Sequence, residues 1–115
     1  MKVFVYGTLK SGGRLFLAEH AKNIKPATVQ GKMYTLGTIW FPFADFMKDG
    51  IVQGEIHEYD PLMLDTLDRI ELGAGYRRVK IVTNEGEEAW AYHYPSVDEK
   101  FTEVEDGYFD HLTKR

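Results

Sequence analysis

The sequence predicts an α+β fold: a small, mixed, mostly antiparallel β-barrel flanked by short α-helices. Three observations predict it. Segments of strand character are short, none longer than nine residues, and outnumber the helical ones. Their order, β-α-β-loop-β-α-β-β, lacks the regular β-α alternation of a parallel sheet. The last two strands join through Asn84-Glu85-Gly86, a hairpin-type turn that makes them antiparallel. At 115 residues the chain is read as a single domain spanning 1–115.

The elements follow in order. Val3-Phe4-Val5-Tyr6 is a β-branched and aromatic run that ends at Gly7, as a buried strand would. Gly7 to Gly13 is a glycine-rich loop, and Arg14–Ala21 reads as a short helix contacting the core through Leu15, Phe16 and Leu17. From Ala27 to Tyr34 apolar and polar residues alternate with period two, so one strand with one inward face is expected. Leu36 to Asp49 is irregular and aromatic, and reads as a loop or short extended segment. After the Asp49-Gly50 turn, Ile51 to Tyr59 is a strand. Asp60-Pro61 starts a helix, because Asp caps well and proline at the first helical position loses no needed hydrogen bond. Leu64, Leu67 and Glu71 share one face of it, and Gly73 and Gly75 stop it. Tyr76 to Thr83 and Glu87 to Tyr94 are the hairpin strands, and the tail from Pro95 has weak pattern.

Composition removes several function classes. There is no cysteine, which excludes disulfides, thiolate metal sites and a cysteine nucleophile. With 14 basic and 18 acidic residues the net charge is −4, and the pI is about 5.5. A nucleic-acid-binding domain ordinarily carries a basic face. Here the one basic cluster is Arg77, Arg78 and Lys80. The longest apolar run, Ile39 to Ala44, is far too short to cross a membrane and contains Pro42. A cytoplasmic location is expected, with neither nucleic acid nor membrane as partner.

Three groups of residues could carry chemistry. A strand that stops at Gly7 and turns exposes successive backbone N–H groups over Tyr6-Gly7-Thr8-Leu9, and such a nest binds carboxylates and oxyanions. The same residues also fit a plain strand-to-helix turn. A phosphate loop does not fit, since Gly13 and Arg14 stand where Lys and a hydroxyl are needed. Glu71 continues the apolar stripe of its helix, so its carboxyl is expected to point inward. Burial and the helix C-terminus would both raise its pKa toward that of a general base. The alternatives are a solvent-facing Glu71, or one paired with Arg77 or Arg78. Asp65 and Asp68, on other faces, read as solvated charge. Tyr76 could aim its hydroxyl at a pocket near Glu71, or line the sheet. His20, His57, His93 and His111 have no metal-ligand spacing, and Ser11 and Ser96 have no triad signature.

In combination these segments resemble the gamma-glutamylcyclotransferase-like family. Val3 to Leu9 is similar to its opening strand and Tyr-Gly-Ser/Thr-Leu. Gly54-Glu55-Ile56-His57-Glu58-Tyr59 resembles its Gly-Glu-hydrophobic stretch. Leu67-Asp68-Arg69-Ile70-Glu71, then Tyr76-Arg77-Arg78, resembles its Leu-Asp-x-x-Glu…Tyr-x-Arg block, although Leu72 stands where a glycine usually follows the Glu. Ala89 to Tyr94 resembles its late aromatic strand.

The resemblance implies a central cavity and release of 5-oxoproline from a gamma-glutamyl amine or peptide, by attack of the substrate's own α-amine. It implies Glu71 as general acid/base and a substrate pocket of Tyr6, Gly7, Thr8, Leu9 and Tyr76. It requires no cofactor and no metal, which agrees with a chain that lacks cysteine. Two other readings stand beside it. One is a non-catalytic binding module for a carboxylate or amino acid on the same fold. The other is an interaction domain using Trp40-Phe41-Pro42-Phe43 as its contact surface, against which the same segment could simply cap the barrel.

Overall fold

The computed structural model describes residues 1–39 and 41–109, apart from the Ala74 side chain; Trp40 and His111 lie outside the described residues. The apolar run near the start forms β1 (Lys2–Val5). It lies between β5 (Ile51–Glu58), antiparallel to it, and β7 (Glu88–His93), parallel to it. A strand covered on both faces has no polar side, which explains the unbroken apolar sequence. Val3, Phe4 and Val5 are all buried. The sheet is completed at one edge by β2 (Lys22–Gln30) beside β5, and at the other by β6 (Arg77–Val82) beside β7.

A second sheet has the order β4 (Phe43–Asp45), β3 (Lys32–Thr35), β8 (Thr102–Val104). The alternation from Ala27 to Tyr34 is therefore two strands rather than one. The chain turns a corner at Gly31, with φ 152°, and passes from one sheet to the other. Ala27, Val29 and Met33 all stay buried through the corner. The backbone N–H of Tyr94 donates to the Ala44 carbonyl at 2.9 Å and ties the end of β7 to β4. The α+β class and the mostly antiparallel pairing are as expected. Among the described residues the pairing runs as two linked sheets around one core.

The predicted helix over Arg14–Ala21 is absent; the segment is a series of turns. Its amides are diverted: Leu15 N–H donates to the Thr8 carbonyl, Phe16 to Gly13 and His20 to Leu17. Leu15 and Phe16 would stand in the first turn of a helix, where amides have no ladder partner, and here they bond within or back to the loop; only Ala21 N–H, to the Leu17 carbonyl at 2.9 Å, has helical spacing. The helix after Asp60 does form, as a 3₁₀ turn (Pro61–Met63) leading into α1 (Leu64–Glu71). The Asp60 carboxylate caps it by accepting from the Leu62 N–H at 2.9 Å. Leu67 is fully buried and anchors α1 in the core. A second 3₁₀ turn (Leu72–Ala74) ends at Gly75, whose φ is 94°.

Gly54 on β5 lies directly against β1. A Cβ there would stand 2.3 Å from the Val5 carbonyl oxygen and 2.8 Å from the Phe4 ring. Gly54→Ala is expected to lower the unfolding free energy by about 1–3 kcal/mol through overpacking. Leu67→Ala is expected to lower it by about 2–5 kcal/mol by opening a cavity. Urea titrations of both variants check this, and a neutral Gly54→Ala would contradict the close approach.

Candidate active site

A cavity of about 120 Å³ opens where β1 ends. Tyr6, Gly7, Thr8, Leu9, Glu71 and Tyr76 all line it, so the residues singled out from the sequence come together. Phe4, Leu15, Phe41, Pro42, Ile70 and Tyr92 complete much of the wall, and the sequence reading placed none of these in the cavity.

After β1 the loop curls on itself through Lys10 N–H to the Gly7 carbonyl at 3.0 Å, and Leu15 N–H to the Thr8 carbonyl at 3.0 Å. Gly7 passes beneath Pro42, and a Cβ at Gly7 would come within 2.8 Å of the proline ring. Thr8 and Leu9 are buried. Among the described residues nothing accepts a hydrogen bond from the Gly7, Thr8 or Leu9 N–H. Buried amides are almost always paired, so three successive free ones beside a cavity mark a place for an anionic oxygen. The side chain of Lys10 is turned away and buried. Its Nζ donates to the Phe109 carbonyl at 2.8 Å and lies 3.7 Å from the centre of the Tyr108 ring.

Glu71 ends α1, one helical turn beyond buried Leu67, and this spacing delivers its carboxyl to the cavity. Among the described residues no group forms an ion pair or hydrogen bond with it. Burial raises its pKa to about 7. The alternative pairing with Arg78 fails because Arg78 holds Asp68 instead. Asp68 is thus not the solvated charge its position suggested. One oxygen takes Arg78 Nη1, and the other accepts from the Tyr92 hydroxyl at 2.8 Å. The signal for Asp68 was its spacing of three from Glu71, which puts both on neighbouring faces of α1.

The hydroxyls of the three cavity tyrosines share a polarity. Tyr6 donates to the Tyr92 carbonyl at 2.7 Å, Tyr76 to the Pro42 carbonyl and Tyr92 to Asp68. Each phenol proton is committed to the protein, so the oxygens keep only lone pairs for a ligand. Burial is the main cause that raises all three above the ordinary tyrosine pKa, and the Glu71 charge adds to it. The Tyr76–Pro42 bond also fixes Phe41 and Pro42 over the cavity. Pro42 and Phe43 are buried and Phe41 partly so, and these three residues pack over the core; Trp40 lies outside the described residues.

The remaining candidates have structural partners. His57 is fully buried, with Nε2 2.8 Å from Glu55 Oε1 and Nδ1 3.1 Å from the Tyr59 hydroxyl. His93 Nδ1 accepts from the Phe46 N–H at 3.2 Å, and the Ser11 hydroxyl donates to Glu55 at 2.9 Å. Among the described residues no three His, Asp or Glu side chains converge to hold a metal, and no helix is long and apolar enough to cross a membrane.

The model of the family "Gamma-glutamyl cyclotransferase, AIG2-like" matches residues 3–111. The chain is 32% identical over 87 residues to PH0828 of Pyrococcus horikoshii, a protein provisionally named a gamma-glutamylcyclotransferase, covering 75% of this chain and 72% of that one. The crystal structure of PH0828 superposes with a TM-score of 0.75 at 26% identity, over 97% of this chain and 92% of that one. The solution structure of Escherichia coli ytfP gives a TM-score of 0.66 at 29% identity, over 95% and 96% of the two chains. An AIG2-like protein of Mus musculus shares the fold, with a TM-score of 0.72 at 23% identity over 86% and 80%.

The position of Glu71 has a consequence for stability. Its folded pKa of about 7 lies above the ordinary value of 4.5, so the folded state binds the proton more tightly than the unfolded chain. Stability is then intact at acid pH and is lost as pH rises between those two values. Glu71→Gln is expected to melt with wild type near pH 4.5 and at a higher temperature than wild type at pH 8. Calorimetric melts at both pH values check this, and identical melts at pH 8 would place the carboxyl in water.

Proposed function

The chain belongs to the AIG2-like gamma-glutamyl cyclotransferase family, and on that premise we propose that it releases 5-oxoproline from a gamma-glutamyl amine or peptide, with Glu71 as general acid and base. The observation that carries this is the single unpaired carboxyl, raised to about 7, in the same cavity as three unpartnered amides.

The substrate's γ-glutamyl head has an ammonium group, a carboxylate and an amide to be cleaved. No Lys, Arg or His is among the cavity's lining residues, so the Gly7–Leu9 amides are its donors for the α-carboxylate. Glu71 and the tyrosine oxygens are acceptors, and they suit the ammonium group. Bound this way, the head is bent so that its own nitrogen faces its γ-carbonyl carbon, and positioning supplies much of the rate. Glu71 takes a proton from the ammonium, and the freed lone pair attacks the carbonyl carbon. The new C–N bond closes the five-membered ring as the bond to the leaving nitrogen breaks. The attacking nitrogen gives up two protons in all. Glu71 passes them to the departing nitrogen, which leaves as an ammonium ion. No protein nucleophile is needed.

A screen of gamma-glutamyl amines and peptides for 5-oxoproline release tests the proposal. Glu71→Gln is expected to lower kcat about 10²–10⁴-fold while remaining folded. In wild type, kcat/KM is expected to fall as pH drops below about 7, because the base must be ionised. Equal turnover by Glu71→Gln would overturn the assignment. Tight binding without 5-oxoproline release would identify a binding module instead.

A further inference from the structure

Glu55 and His57 are buried or partly buried ionisable groups that this mechanism does not use. Glu55 projects from β5 at the register position opposite Val5, the last residue of β1. One of its oxygens, Oε1, takes three partners: the Ser11 N–H at 2.9 Å, the Ser11 hydroxyl at 2.9 Å and His57 Nε2 at 2.8 Å. A carboxylate only accepts, so Nε2 of His57 carries the proton, and in the neutral ring Nδ1 accepts from the Tyr59 hydroxyl. Phe16 packs edge-on against the imidazole, with ring centres 5.9 Å apart. Burial pushes the Glu55 carboxyl up, but the donors from Ser11 and His57 outweigh it and hold it below the ordinary range. The result is a charged acceptor fixed on a rigid strand.

Ser11 is two residues beyond Leu9 in the loop that presents the free amides. It is followed by Gly12 at φ 81° and by Gly13, neither of which stiffens the backbone. Its tie to Glu55 therefore holds the exposed side of the loop to the sheet. We infer that Glu55 is a positioning residue for the Gly7–Leu9 amides, acting through Ser11, with His57 and Tyr59 holding Glu55 in place. This rests on the reading of those amides as the site of the substrate's α-carboxylate.

The test reads carboxylate recognition rather than turnover. Calorimetric binding of L-glutamine and of its α-amide is compared in a Glu71→Gln background, which prevents cleavage. The background protein is expected to favour the free acid about tenfold or more, the scale of a charge-assisted hydrogen bond. Adding Glu55→Ala is expected to bring the ratio close to one. Ser11→Ala, which keeps the N–H bond, is expected to lower it severalfold, and Glu55→Gln, which keeps an acceptor, to restore most of it. A ratio unchanged in Glu55→Ala and Ser11→Ala, alongside a lowered melting temperature, would make Glu55 a purely structural residue and overturn the inference. If Glu55→Ala does not fold, exposed Ser11 decides the matter alone. Absence of any preference in the background protein overturns the anion-loop reading itself, and this inference with it.

Discussion

The burial of β1 on both faces is the constraint from which the site follows. Burying Val3, Phe4 and Val5, which point alternately to the two faces of the sheet, contributes roughly 1.5–3 kcal/mol for each large side chain. It leaves the strand no freedom of register. The residues that emerge from its end, Tyr6 to Leu9, are delivered to one place. The neighbour on one side brings Glu55 beneath the loop. The neighbour on the other brings Tyr92, whose carbonyl accepts a hydrogen bond from the Tyr6 hydroxyl. Gly54 and Gly7 are the two points where this packing admits no side chain, one against β1 and one against Pro42.

On α1 two carboxyls one turn apart have opposite surroundings. Asp68 has a guanidinium and a phenol; Glu71 has only cavity wall. That division separates a paired, charged carboxylate from an unpaired one whose pKa burial raises, a contrast that unlike environments produce in pairs of acidic groups. It carries a cost, since an unpaired desolvated carboxyl works against folding. The committed phenol protons extend the same logic, leaving the Glu71 side of the cavity rich in acceptors and the loop side in donors.

Much of this was legible because it is local. The uninterrupted apolar run of β1, the alternation through Ala27 to Tyr34, the Asp60-Pro61 cap and the Leu67–Glu71 spacing each announce local structure within a few residues. The inward direction of Glu71 follows from helical geometry alone. What was not legible depends on distant partners. The segment 14–21 is drawn back onto the preceding loop, as by the Leu15 N–H bond to the Thr8 carbonyl, a partner that no local pattern announces. Strands β4 and β8 are three residues each, too short for a period to register. Asp68 looked solvated because Arg78 and Tyr92 reach it only after the hairpin has packed on α1. The split at Gly31 escaped notice because the inward face is continuous through the corner.

The hold of Lys10 on the Phe109 carbonyl spans 99 residues. The loop that presents the free amides is therefore completed by backbone from near the far side of the sequence. The same holds for β1, whose two neighbours begin at residues 51 and 88. During synthesis the most apolar strand is made before either neighbour and must wait for both. Such long-range closure is slow, and it leaves an unpaired apolar edge exposed in the interval. Assembly of the cavity and completion of the fold are in this sense one event, and a ribosome-bound chain that stops short of β7 has neither.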